Sequence, residues 1–286
     1  MIIATHDGPF HADDVFGMAL LQRVFPDADF IRTREAKRIA TAAIVFDVGG
    51  VQDIALRRFD HHGKKVEKRA NGIIYSALGL LWREYGLQYC DMNEQVWRRI
   101  DTVLIESVDA DDNGQRIEVA NQRNVNRPTL DGLIRIFNPV SNEDYDSQFF
   151  AAVALAGGIL DRLKVSVGHE LAIYDEIISL YEASPRDGYV AVDHYIPVHD
   201  LRQLPEDLKY IVCKEKHNRW LVGAVQDSDL FDSLRKPFPR QWGGLSGEAF
   251  VNLTGIDDAQ SCHRNRFIAV AYTKAAAILL AEKALA

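Results

Sequence analysis

The chain has 286 residues, with 33 Lys+Arg against 41 Asp+Glu for a formal charge of −8, and is 47% hydrophobic and 26% charged. That composition is globular and excludes a disordered or fibrous chain, and no uncharged run reaches the ~18 apolar residues a membrane helix needs. Three scattered cysteines, Cys90, Cys213 and Cys262, argue against a disulfide framework, and the first residues lack the basic and apolar regions of a signal peptide, so a cytoplasmic protein is expected.

The opening Ile2-Ile3-Ala4-Thr5 is apolar and β-branched and predicts a buried strand. Gly8-Pro9 turns the chain, and the dense apolar positions from Asp13 to Phe25 predict a mostly buried helix closed by Pro26. Strands follow at 30–33, 43–48 (ended by Gly49-Gly50) and 56–59. Helical patterning dominates 72–85, 93–108 and two further stretches between Ser147 and Glu182. Ser184-Pro185-Arg186-Asp187-Gly188 is the best candidate linker. Beyond it come strands near 189–193, 210–214 and 219–225, with a hairpin turn at His217-Asn218, and a final helix over 269–285. Strands alternating with helices predict βαβ units. The expected architecture is α/β, a mainly parallel sheet with flanking helices in a domain spanning 1–186, followed by a smaller α+β domain spanning 187–286.

Four segments place Asp and His at element ends, three of them just beyond the carboxyl ends of predicted strands, where open α/β sheets carry their chemistry. They are His6-x4-His11-x-Asp13-Asp14, Asp47, Asp60-His61-His62, and Asp109-Ala110-Asp111-Asp112-Asn113-Gly114 at a helix end. Taken singly, a turn, a helix cap or a solvated loop explains most of them. Together they bring eight aspartates (Asp7, Asp13, Asp14, Asp47, Asp60, Asp109, Asp111, Asp112), whose convergence demands protonation or cations. Imidazole and carboxylate donors without nearby Cys suit Mn²⁺ or Mg²⁺ better than structural zinc. So many donors can hold two ions about 3.5–4 Å apart, bridged by a carboxylate and suited to in-line displacement at phosphorus.

The Asp60-His61-His62 triplet with its upstream His/Asp cluster resembles the DHH phosphoesterase superfamily. A closer resemblance is to the melanocyte-proliferating-gene (Myg) family of DHH-like metallohydrolases. It rests on Thr5-His6-Asp7-Gly8-Pro9-Phe10-His11-Ala12-Asp13-Asp14, Asp47-Val48-Gly49-Gly50, Phe59-Asp60-His61-His62, the Asp109–Gly114 run, and Pro237-Phe238-Pro239-x-x-Trp242-x-Gly244-Leu245-x-Gly247 with His263-Arg264 beyond. The resemblance implies a phosphodiesterase with 3′–5′ exonuclease activity on RNA. It implies His6, His11 and Asp13 as metal ligands, Asp47 as the bridge between two Mn²⁺ (or Mg²⁺) ions, and His61 as a further ligand. Asp112 is the expected last ligand, with Asp109 as the alternative. His62 is expected at the scissile phosphate or the leaving group, and Asp60 and Asp14 join it among the expected catalytic residues. The wider superfamily has H-x3-D-x-D in its first motif. Here His11 stands in place of a carboxylate, which implies a weaker hold on a hard cation.

In the same superfamily a second domain supplies substrate contacts. The candidates are Arg240, Gly243, Gly244, Gly247, His263 and Arg264, glycines admitting phosphate to backbone N–H groups and Arg gripping it. Phe238, Trp242 and Trp220 are candidates for base stacking. A net charge of −8 is the opposite of the basic excess of duplex-binding proteins, and favours short oligonucleotides gripped at one end; the expected partner is RNA or a short oligonucleotide. Hydrolysis of pyrophosphate or a dinucleotide is the alternative, and a non-catalytic metal-stabilised binding module the third. A homodimer through helices of the first domain is compatible with the residues, though nothing in them compels it.

Overall fold

The computed structural model describes residues 1–63, 67–115, 128–198, 201, 204–215, 217–227 and 233–286. The chain is α/β, with two mixed sheets and helices, and forms two compact units, Met1–His169 and Glu170–Ala286. In the first unit the strands are β1 (Ile2–Thr5), β2 (Asp29–Arg32), β3 (Ile44–Phe46), β4 (Gln52–Asp53) and β5 (Arg58–Phe59), in the order β2-β1-β3-β5-β4. The pairs β1–β2, β1–β3 and β3–β5 are parallel, and only β4–β5 is antiparallel. Each parallel pair needs a crossover, which α1 (Ala12–Val24) and α2 (Ala36–Thr41) supply between the first three strands.

α1 is buried at every position from Ala12 to Leu21, as expected of a helix apolar all round. The reason is visible at Gly17, where a Cβ would lie 3.0 Å from Leu81 and 3.1 Å from Phe46. The helix is sandwiched between β3 and α3 (Ala77–Tyr89). On the α2 side, Ala4, Ala42, Val45 and Val48 form a separate small core. Next come α4 (Glu94–Ile100), a π-helical turn over Asp101–Ile105, α5 (Glu106–Asp112), α6 (Leu130–Arg135) and α7 (Tyr145–Glu182). The sequence suggests two helices between 147 and 182; the structure has one of 38 residues. Gly157 does not break it. The residue instead makes room for the Arg23 guanidinium, which would lie 2.3 Å from a Cβ there and pairs with Asp161.

The second unit has β6 (Tyr189–Ala191), β7 (Tyr210–Lys214), β8 (Trp220–Ala224), β9 (Ala259–Cys262) and β10 (Ile268–Ala271), ordered β6-β7-β8-β10-β9. Only β6–β7 is parallel. Side chains alternate across a strand: Tyr210 and Val212 enter one core with α8 (Glu248–Thr254) and α9 (Lys274–Leu285), while Ile211 and Cys213 enter a second with Ile173 and Ile177 of α7. β7 is therefore buried on both faces. The expected final helix is shorter than the apolar run suggests: 268–271 is strand, and the helix begins at Thr273, whose Oγ accepts the N–H of Ala276. Phe238 and Trp242 are fully buried in this core, stacked at 5.8 Å, which removes both from base stacking. No described helix is long and apolar enough to cross a membrane.

Ala is ordinarily the better residue in a strand or helix interior, but at Gly223 of β8 a Cβ would lie 2.5 Å from Val198. Gly223→Ala should therefore destabilise, by about 1–3 kcal/mol, read as a lowered urea midpoint with unchanged slope.

Candidate metal centre

Register brings the motifs together. β1, β3 and β5 run parallel, so His6 after β1, Asp47 after β3 and Asp60-His61-His62 after β5 emerge at one sheet edge. β1 has β2 on one side and β3 on the other, so this edge is a topological switch point, where such sheets form crevices. α1 begins there with Asp13 and Asp14 in its first turn, and α5 ends there with Asp112. Asp47 adopts the left-handed conformation (φ 54°), a region Asp tolerates because its short polar chain bonds locally.

Three donor sets result: His6 with Asp14 and Asp47; Asp47 with His61 and His62; and His11 with Asp13 and Asp112. His6 Nε2 lies 3.0 Å from Asp14 Oδ2 and 3.1 Å from Asp47 Oδ2. The other Asp47 oxygen, Oδ1, lies 3.3 Å from His61 Nε2 and 3.5 Å from His62 Nδ1. His61 Nε2 is also 3.3 Å from Asp112 Oδ2 and 3.8 Å from Asp13 Oδ2. Asp47 thus offers one oxygen to each side. His11, 4.0 Å from Asp112, is the most loosely held donor, with 40% of its side chain exposed.

Asp14 Oδ2, Asp47 Oδ1, His61 Nε2 and both oxygens of Asp13 are buried without a hydrogen-bond partner among the described residues. Buried carboxylates left this way are strongly unfavourable. Two donors at right angles about 2.1 Å from one ion lie about 3.0 Å apart, the spacing seen around His6. His6 Nδ1 meets the Asp7 carbonyl at 3.0 Å, which assigns it the proton and leaves Nε2 as the donor atom. Orphaned oxygens, sp² nitrogens and no cysteine fit a hard or borderline divalent cation.

The electrostatics agree. Burial pushes the Asp13 carboxyl well up, and the Asp47, Asp112 and Asp14 carboxylates push it further. Burial also raises Asp14 and Asp112, against opposing pulls from His6 and His61. At His6 burial favours the neutral ring, yet Asp14 and Asp47 outweigh it and raise it to about 10. Asp47 runs the other way: burial would raise it, but His6 and His61 hold it below the usual carboxylate range. With no ion bound, imidazolium charge is drawn in to serve where a cation would.

Asp60 sits behind this cluster rather than in it. Its Oδ1 accepts from His62 N–H at 3.0 Å and from His62 Nδ1 at 2.8 Å, while Oδ2 accepts from Gly50 N–H. The Asp60 hydrogen bond raises the His62 pKa. Asp14 has a double duty, Oδ1 accepting the His11 N–H at 2.9 Å while Oδ2 faces His6. Asp109 lies outside all three donor sets. It is fully buried, accepting from Ser76 N–H (3.0 Å), Ser76 Oγ (2.7 Å) and Arg69 Nε (2.7 Å), and burial raises its pKa to about 6 against the pull of Arg69.

Residues that sequence reasoning missed hold the first motif in place. Asn138 accepts the Phe10 N–H at 2.9 Å and donates to the Phe10 carbonyl at 2.8 Å, and Asp131 accepts the Ala12 N–H at 3.3 Å. They lie 128 and 119 positions away, beyond any spacing rule. In the second unit, Gly243, Gly244 and Gly247 cluster near 263–266, but their N–H groups donate to Arg240, Cys262 and Gln260 carbonyls. Arg240, His263 and Arg264 are exposed.

A buried crossroads of acidic and imidazole donors at a sheet's switch point gives this α/β protein groups that could bind a metal. Residues 2–285 match the MYG1_exonuc family model, described as Uncharacterised protein family (UPF0160), and the chain belongs to that family. Among its relatives, the MYG1 protein of Chlamydia muridarum is 28% identical over 94% of this chain and 91% of its own. The MYG1 protein of Dictyostelium discoideum is 26% identical over 100% and 96%. A human relative, named MYG1 exonuclease, is 25% identical over 99% and 85%.

A carboxyl whose folded pKa is raised favours folding below its unfolded pKa, and that contribution is lost as pH rises through the folded value. The metal-free chain should therefore lose stability through Asp13 as pH climbs toward neutral. Asp13→Asn removes this loss. In EDTA at neutral pH its Tm should exceed that of the wild type, whereas Mn²⁺ should raise the wild-type Tm much more than the variant's.

Proposed function

We propose that this phosphoesterase of the MYG1 family is a metal-dependent phosphodiesterase that trims RNA or short oligonucleotides from the 3′ end. The observation that carries the reading is Asp47, with one oxygen toward His6 and Asp14 and the other toward His61. In this reading His6, Asp14 and Asp47 would hold one ion. Asp47, His61, Asp13 and Asp112 would hold the second, with His11 beside them, and Mn²⁺ would be preferred to Mg²⁺ because imidazole shares both sets. Two such ions supply Lewis acidity and a water activated at neutral pH.

The rest of the chemistry belongs to side chains. Asp60 Oδ1 accepts a hydrogen bond from His62 Nδ1–H at 2.8 Å, which fixes the ring and turns Nε2 to the other side. The raised His62 pKa keeps that nitrogen protonated nearer neutrality. It can then pair with a phosphate oxygen or hand its proton to the leaving oxygen, the role a carboxylate-oriented His plays in acid–base catalysis. The glycine N–H groups of 243, 244 and 247 are already engaged, so phosphate contacts from the second unit fall to Arg240, His263 and Arg264 side chains. The human relative's name, an exonuclease, supports a nucleic-acid substrate, and the charge of −8 supports a short one.

The test is a 5′-labelled oligoribonucleotide incubated with the protein and Mn²⁺. The wild type should give a ladder shortening from the 3′ end. His62→Ala should slow it by about 10²–10⁴-fold with metal binding retained, and Asp47→Asn should abolish both. Clean, Mn²⁺-loaded protein that cleaves only pyrophosphate or dinucleotides would overturn the substrate, and protein that cleaves neither would overturn the activity.

A further inference from the structure

Asp112 reaches the cluster from the end of a helix that contains an irregularity. α4, the π-turn and α5 run without interruption from Glu94 to Asp112, and in the π-turn Glu106 N–H donates to the Asp101 carbonyl, five residues back. A regular α-helix has 3.6 residues per turn, so Asp101 and Asp109, eight residues apart, would point about 80° away from each other. An i→i+5 turn absorbs one extra residue and brings the two to within about 20°. That realignment is what Arg69 uses. Its Nη1 and Nη2 donate to both oxygens of Asp101 at 2.6 and 2.9 Å, and its Nε donates to Asp109 at 2.7 Å. One buried guanidinium, 8% exposed, clasps the helix on both sides of the π-turn.

The clasp belongs to a strap, residues 67–76, that follows the Asp60-His61-His62 segment in the chain. Arg69 is held in it by a turn: its N–H donates to the Ile73 carbonyl and its own carbonyl accepts from Gly72. Asn71 bonds the side chain of Glu106, Ile74 N–H donates to Gln115 Oε1 at 2.7 Å, and Asn113 Nδ2 donates to the Ile74 carbonyl at 3.1 Å. Ser76 ends the strap by donating to Asp109 while capping α3. On the far side, Gly79 of α3 leaves no slack, since a Cβ there would lie 2.3 Å from Asp109 Oδ2. The helix can neither slide nor roll without breaking these bonds. The angular phase they fix at Asp109 determines where Asp112, three residues on, points.

We propose that Arg69 is a positioning residue for the metal centre: by clasping Asp101 and Asp109 across the π-turn it holds Asp112 in place beside His61 and Asp13. In this role Asp109 acts through the helix and not as a ligand. The proposal rests on the metal-centre reading above, and deepens it by naming what sets the geometry of the second ion's donors.

Mn²⁺ titration calorimetry on the full chain, run well below the melting temperature, tests it. Arg69→Met should weaken Mn²⁺ binding by about 10–100-fold, the usual effect of losing an outer partner of a metal ligand. Arg69→Lys, which keeps the charge but cannot fork, should fall between. Asp101→Asn touches no donor set. It should weaken Mn²⁺ binding in the same direction, with little added on top of Arg69→Met, and it carries the test alone if Arg69→Met does not fold. A lowered Tm with unchanged Mn²⁺ affinity in the folded variants would show a merely structural clasp and overturn the proposal. A wild type that binds no Mn²⁺ would instead overturn the metal-centre reading on which it rests.

Discussion

The structure of the first unit depends on one electrostatic constraint, that several carboxylates are buried within a few ångströms of each other. Asp13, Asp14 and Asp47 are nearly inaccessible, and Asp112 is close behind. Mutual repulsion in a poorly polarisable interior is costly. Its partial remedies are visible in the side-chain contacts: His6 drawn between two carboxylates, and His61 between Asp47 and Asp112. A divalent cation meets the same demand with more charge in less space. Metal binding and folding are then linked, because the donors converge only once the parallel strands are in register.

Much of this was legible in the sequence. β1 matches its expected span, and α1 and β2 match theirs to within a residue, because each is bounded by unambiguous punctuation. The convergence of His6, Asp13, Asp47, His61 and Asp112 was also legible, since strand ends in a parallel sheet share an edge. What was not legible depends on tertiary phase. Asp14 and Asp13 are neighbours in one helical turn, and nothing local says that Asp14 faces His6 and Asp47 while Asp13 faces His61 and Asp112. Asp109 and Asp112, three residues apart on α5, divide on the same ground: one meets Ser76 and Arg69 and the other the cluster.

The second unit shows the complementary failure. Strands β9 and β10 lie in a stretch whose short apolar runs fit strand or helix equally well, and only pairing with β8 decides. The glycines at 243, 244 and 247 carry a suggestive spacing. The Gly244 and Gly247 amides are nevertheless spent on holding the loop to Cys262 and Gln260, and that of Gly243 on the turn back to Arg240, so the motif is a device for packing that loop first. Any contact with phosphate is left to the exposed side chains around it.

The left-handed conformation of Asp47 has a consequence for how this position can vary. A backbone with φ near +54° is costly for most residues and tolerable for Gly, Asn and Asp. The proposed ions would need a carboxylate, and of the acidic residues Asp is the one that this region of backbone tolerates. Two unrelated demands, one conformational and one chemical, therefore intersect at a single amino acid. In the proposed two-ion reading, the substitutions that the turn accepts are those that would empty the bridge, so a lineage that lost the activity could keep this fold almost unaltered with Asn or Gly at position 47.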